Sequence, residues 1–276
     1  MSRSVRVALL ALGLALGGTL APAWTPAPAR ATEAWDGSVD LYRKGAFTTQ
    51  KTWLWCTAAG VQIIRNLVRG DADHARASQA RYFDWMRGRN HYDLPESAGV
   101  DPAGWTAGLR HFVDDRYRLV ASRSFEAGLR SAVTSLRRTG LPVALTVARG
   151  NHGWVMTGFS ASADPLTTDD FEVRSVRIVG PLYGLQSKDG YDMPPNTSLT
   201  VARFKRFFTS WRYAPMRMVW DGTFVSIQPV GDAGPTPTKV AAALPAPRVP
   251  WSFGAAVAGA LPGGPASSLG RWAGHR

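Results

Sequence analysis

The pattern of apolar and polar positions divides the chain into an early helical half and a later extended one. Residues 56–68 place Ala59, Ile63, Ile64 and Leu67 on overlapping faces of a helix, with Gly70 positioned to end it. A second helix is expected over 72–86. Asp101-Pro102 has N-cap and first-turn chemistry for a third, carrying Trp105, Leu109 and Phe112, while Ser124 can cap a fourth that runs to Arg138 and stops at Gly140. The hydrophobic period then shortens. Residues 142–148, 153–160 and 172–179 alternate or run apolar with β-branched side chains, as strands do. One more helix is expected near 199–211, ahead of a hairpin in which Asp221-Gly222 turns Met218-Val219-Trp220 back into Phe224-Val225-Ser226-Ile227. Helices followed by an antiparallel sheet describe an α+β domain.

Both ends read differently. Arg3 and Arg6 precede an apolar stretch over 7–18, and a Pro/Ala-rich segment ends in Ala29-Arg30-Ala31, so residues 1–31 carry the three parts of a secretory signal in order. The apolar run falls short of the ~20 residues that span a bilayer. The product is expected to be secreted or extracytoplasmic, with no stable membrane span once the signal is removed. Residues 231–276 are dominated by Ala, Gly and Pro, with Asp232 the only acid, and read as a disordered tail. Residues 32–45 form an N-terminal segment, which leaves 46–230 as a single-domain length.

Composition adds two points. The chain of 276 residues has 32 Lys+Arg against 20 Asp+Glu, a formal charge of +12, and removing the three arginines of the signal leaves +9. The arginines are scattered, and no helix-turn-helix, zinc-finger or RNA-binding signature accompanies them, so the charge reads as solvated surface and no nucleic acid is expected as a partner. No pair of His, Asp or Glu residues stands at metal-ligand spacing near Cys56 or His152, His74 with His91 and the surrounding acids is no recognised zinc pattern, and there is no Gly-x-Gly-x-x-Gly or Walker motif, so no cofactor is expected.

The second point is that Cys56 is the only cysteine, which excludes a disulfide framework. An unpaired thiol in an exported chain is either buried and inert or kept for its reactivity. Cys56 stands where Trp53-Leu54-Trp55 turns into the first helix, and the free N–H groups and partial positive charge of a helix start stabilise a thiolate. Of five histidines, His152 alone lies at the mouth of a predicted strand, held yet accessible, as a general base for a cysteine must be. Gln50, six residues before Cys56, can bring a side-chain amide beside the Cys56 backbone N–H and so donate to an oxyanion.

Gln50-Lys51-Thr52-Trp53-Leu54-Trp55-Cys56-Thr57-Ala58-Ala59 resembles the Gln-x5-Cys motif of papain-like cysteine peptidases, and Trp55-Cys56 followed by small residues is similar to their family-39-like branch, related to the bacteriocin-leader peptidase domains of export transporters. Gly140-Leu141-Pro142-Val143 and Gly150-Asn151-His152-Gly153 look like that branch's Gly-x-Pro-Val and Gly-x-His strands. The resemblance covers roughly 46–229. It implies a papain-like fold, N-terminal helices with the nucleophile at a helix start packed on a C-terminal antiparallel sheet, and a thiol protease or related hydrolase cleaving a peptide or amide bond through a thioester. Cys56 is then the nucleophile, His152 the base and Gln50 the oxyanion donor, with a peptide or protein as substrate.

One position departs from the pattern. The family usually places an Asp before Pro at the end of the next strand to orient the histidine, and here that stretch reads Val179-Gly180-Pro181. Either Asp169, Asp170 or Asn196 takes the part, or the site is a Cys–His dyad, or the scaffold is an inactive binding protein. An amidase or transpeptidase acting on cell-wall peptides would use the same nucleophile.

Overall fold

The helical faces expected from the sequence form where they are needed to cover a sheet. In a computed structural model that describes residues 35–185 and 192–231, α1 (Cys56–Arg69), α2 (Arg76–Arg87) and α3 (Pro102–Phe112) precede β2 (Tyr117–Ser122) and α4 (Phe125–Thr139), and β1 (Ser38–Asp40) precedes them all. Then come β3 (Val143–Val147), a 3-10 turn, β4 (His152–Ala161), β5 (Val173–Val179), β6 (Thr197–Thr200), α5 (Val201–Phe204) and β7 (Phe224–Pro229). The expected export signal and all of the expected tail but Gly231 lie outside the described residues. Among those described, no helix is long and apolar enough to cross a membrane.

The caps follow their local chemistry. Gly70 and Gly140 end α1 and α4 in the left-handed conformation at φ 76° and 65°, which glycine adopts without a Cβ clash. The Asp101 carboxylate accepts from Gly104 N–H at the start of α3, and the Ser124 hydroxyl accepts from Ala127 N–H at the start of α4.

The strands form one seven-stranded antiparallel sheet in the order β2-β7-β3-β4-β5-β6, with β1 paired to β4. Alternation along the strands separates two cores. Val143, Leu145, Val147, Trp154 and Met156 pack with Leu129, Val133 and Leu136 of α4, whereas Ala144 and Val155 pack with α1, α2 and α3 through Ile63, Met86, Trp105 and Leu109. The chain is therefore α+β, with helices on both faces of the sheet.

Four differences from the sequence pattern have physical reasons. The segment 32–45, set outside the domain, contributes β1 to the sheet. Gly158 accommodates it, since a Cβ there would lie 2.2 Å from Val39 O. The edge strand β2 has too little inward-facing apolar surface for its alternation to stand out. The helix expected over 199–211 shrinks to α5 because Leu199 belongs to β6, and because the chain turns after Phe204 so that Phe207 reaches Trp154 while Phe204 and Phe208 stack. The expected hairpin does not form. Met218 and Trp220 are buried beside Trp211 with Val219 exposed between them, a strand-like alternation produced by an anchored loop, and β7 pairs with β2 and β3 instead.

Candidate active site

Cys56 is the first residue of α1, and no side chain caps that helix start, so the N–H groups of the first turn remain available to a negative charge at sulfur. The approach to Cys56 is held by a buried amide network that the sequence did not reveal. Gln79 of α2 donates to Thr49 O at 3.0 Å and to the Gln62 side chain at 2.8 Å, and accepts from Lys51 N–H at 2.9 Å.

His152 opens β4 after an unusual turn. Ala148, Arg149 and Gly150 take successive positive φ values of 53°, 60° and 87°, a strained arrangement held by Ala148 N–H to Phe207 O and Arg149 N–H to the Thr209 hydroxyl. Gly150 admits no side chain, because a Cβ there would meet the Trp211 ring at 2.3 Å. The turn thus fixes where His152 leaves for the cleft.

The orienting acid is Asp192. Its Oδ2 lies 2.8 Å from His152 Nε2 and accepts from Leu182 N–H at 2.7 Å, while Oδ1 accepts from Trp154 Nε1–H at 2.7 Å. His152 and Trp154, two apart on β4, share a face and so reach both oxygens of one carboxylate. This corrects the candidates drawn from the sequence. Asn196 is engaged with Thr157 and Asp40, the Asp169 carbonyl receives Arg130, and neither those two nor Asp170 is bonded to His152. Gly180 is explained by the same geometry: a Cβ there would lie 2.3 Å from Asp192 Cγ. The carboxylate occupies the space a side chain at 180 would fill, but it arrives from twelve positions further along the chain.

The electrostatics follow from this arrangement. Burial on its own would lower the His152 pKa, but the charge and hydrogen bond of Asp192, joined by those of Cys56, override it and push it up to about 10. Burial would raise Asp192, yet the charge of His152 and the bonds from His152, Leu182 and Trp154 hold its carboxyl below the usual carboxylate range. With Nε2 committed to Asp192, Nδ1 is the ring nitrogen left to face Cys56. At neutral pH the ring is an imidazolium between an aspartate and a sulfur.

Gln50 is fully buried beside this constellation. Its N–H donates to Pro181 O at 2.8 Å, which ties the segment before Cys56 to the loop that binds Asp192, and its side-chain Nε2 donates to Thr52 O at 2.8 Å. It does not itself line the cleft.

Cys56 and His152 share a cleft of about 740 Å³ with Trp53, Trp105, Trp154 and Trp211 among its walls. Trp105 forms its floor between α1 and β4, close enough that Gly60 and Gly153 have no room for a Cβ, which would meet its ring at 2.9 and 2.8 Å. Among the described residues no cluster of His, Cys, Asp or Glu could hold a metal ion.

No family model matches this chain, nor does any curated protein or solved structure.

Proposed function

We propose that the protein is a papain-like cysteine hydrolase, cleaving a peptide or other amide bond through a thioester, and that it works outside the cytoplasm as the pattern of residues 1–31 implies. The observation that carries this reading is the line Cys56, His152, Asp192 within one cleft. Here the thiolate at the start of α1 attacks the carbonyl carbon. The resulting oxyanion takes a hydrogen bond from Cys56 N–H, and the donor part proposed for Gln50 requires its side-chain amide, bonded to Thr52 O behind the cleft wall, to turn toward the carbonyl when substrate binds. Collapse breaks the C–N bond, with His152 giving its proton to the departing amine. Water then attacks the thioester with His152 as base, releasing the acid and leaving sulfur as thiolate beside the reprotonated His152, the pair that began the cycle.

An imidazole that keeps its proton to about pH 10 suits the first half of that cycle. The inactive-scaffold alternative drew its weight from Gly180, and that weight goes once Asp192 fills the space. Iodoacetamide is expected to label Cys56 rapidly near neutral pH, and His152→Ala to slow labelling about 30-fold, since an ordinary thiol is only a few per cent thiolate there. Slow labelling that the substitution leaves unchanged would sink the proposal.

The part given to Gln50 has its own measurement. Gln50→Ala is expected to lower kcat on a thioester or amide substrate about 100-fold, the loss typical for one oxyanion donor, while the alkylation rate of Cys56 stays within about twofold. Equal losses in both would mean that Gln50 only supports the fold of the segment before Cys56.

A further inference from the structure

Part of the charge that read as scattered along the sequence falls in the segment that supplies Phe207, Trp211, Tyr213 and Met218 to the cleft lining. Between residues 193 and 220 stand Arg203, Lys205, Arg206, Arg212 and Arg217 without a single Asp or Glu. The backbone joins this segment to the strained turn before His152 through Phe207 O to Ala148 N–H and Arg212 N–H to Arg149 O. Four arginines of this segment and the turn it holds are chain neighbours of cleft residues. Arg149 lies between Ala148 and Gly150, Arg206 precedes Phe207, Arg212 lies between Trp211 and Tyr213, and Arg217 precedes Met218. All four are exposed, and none is ion-paired with a described residue, whereas Lys205 is paired with Glu126. The lining holds two acids, both buried and engaged: Asp101 accepts from the N–H groups of His91, Tyr92 and Gly104, and Asp192 is bonded to His152, Trp154 and Leu182. The exposed acids that adjoin lining residues are Asp93, before Leu94, and Glu96, before Ser97, and the four arginines outnumber them.

We propose that the substrate is an acidic peptide, whose Asp, Glu or terminal carboxylate groups lie along the lip formed by Arg149, Arg206, Arg212 and Arg217 while its backbone crosses the apolar floor beside Cys56. The proposal rests on the hydrolase reading. Exposed cations over low-dielectric walls focus their field into a cleft and raise the local concentration of anionic partners by ten- to a thousandfold. Guanidinium groups also match carboxylates in a bidentate fork. Such a surface discriminates by charge and leaves the side-chain shape at the scissile bond to the apolar walls.

The test uses Cys56→Ala protein, so that binding is read without turnover. Two dye-labelled peptide pools are compared by fluorescence anisotropy, identical except that one carries Asp and Glu where the other carries Asn and Gln. The acidic pool is expected to bind about tenfold more tightly in about 20 mM salt and to lose that advantage in about 500 mM, where charges are screened within ~4 Å. R206E/R212E/R217E should abolish the preference. R110E/R138E/R174E, which changes net charge equally at exposed sites that adjoin no cleft residue, should retain it. Equal affinity of the two pools at low salt, equal loss in the two triple variants, or an oligonucleotide binding as well as the acidic pool would each overturn the proposal. Failure of the hydrolase reading is recognised separately, in the alkylation rate of the unmodified protein, which these binding measurements do not involve.

Discussion

Asp192→Asn should reduce kcat/KM about 1,000-fold or more while leaving the protein folded. The amide keeps the shape of the carboxylate and loses its charge, and with that charge goes the strongest influence opposing burial of a charged His152. A histidine orienter changed in this way typically costs about four orders of magnitude, because the ring adopts the wrong tautomer and cannot be stabilised when protonated. The pH dependence should move in a defined direction. In the unmodified protein His152 retains its proton to about 10, so the alkaline limb of the rate profile lies high. With the aspartate charge removed, burial dominates and the limb should fall to or below the ordinary histidine value of about 6.5.

Stability follows the same linkage. His152 is raised in the folded state, so its contribution is complete below the unfolded pKa of about 6.5 and is lost as pH climbs through about 10. Asp192 is lowered, so its contribution is present above the unfolded value of about 3.9 and is lost as pH falls through the folded one. The difference in thermal midpoint between the unmodified protein and Asp192→Asn should therefore be widest between those limits and shrink at both ends. Asp169→Asn and Asp170→Asn serve as controls and should leave rate and profile unchanged. If Asp192→Asn keeps more than about a third of the original kcat/KM, the acid has been wrongly assigned.

Why Asp192 escaped the sequence while Cys56 and His152 did not is a matter of range. Cys56 announces itself through a helix start in its own segment, and His152 through a strand that begins beside it, both of them short-range regularities. Three of the four principal helices were legible for the same reason, since Gly70 in α1, Asp101 in α3, and Ser124 and Gly140 in α4 make their caps within a few residues. Asp192 acts on a partner 40 positions earlier, and nothing in its own neighbourhood distinguishes it from any loop aspartate. The same holds for Gln79 and Gln62, whose mutual bond joins two helices. A signal was nonetheless present at Gly180. A glycine where a polar side chain is expected can mean that the group is missing, or that another group needs the space, and only the packing distinguishes the two. The errors at 199–211 and 218–220 have the opposite origin: aromatic residues recurring at helical or strand intervals satisfied the local pattern, while Phe207, Trp211 and Trp220 were serving contacts made at a distance.

Gly180 accordingly supplies the second large effect. Gly180→Ala adds one methyl group, yet its carbon would fall 2.3 Å from Asp192 Cγ and 2.5 Å from Oδ2, well inside contact distance. The buried, triply bonded carboxylate cannot swing aside as a flexible surface tip would. It must leave His152, Trp154 Nε1–H and Leu182 N–H together, or push the backbone away. Kinetically the variant should resemble Asp192→Asn, with kcat/KM lowered about 1,000-fold. It should also be destabilised by about 1–3 kcal/mol, as overpacked cores are. A purely structural role for Gly180 would give the second effect without the first. The two are separated by Gly180→Asp combined with Asp192→Gly, which returns a carboxylate to the strand end and clears the space it needs. If the requirement at this place is for a carboxylate against Nε2, the double variant should recover at least tenfold over Gly180→Ala and raise the alkaline limb again, although neither change alone does so. Gly180→Ala retaining normal kcat/KM would mean that Asp192 does not occupy this space in the working protein, and the triad would have to be redrawn around another group.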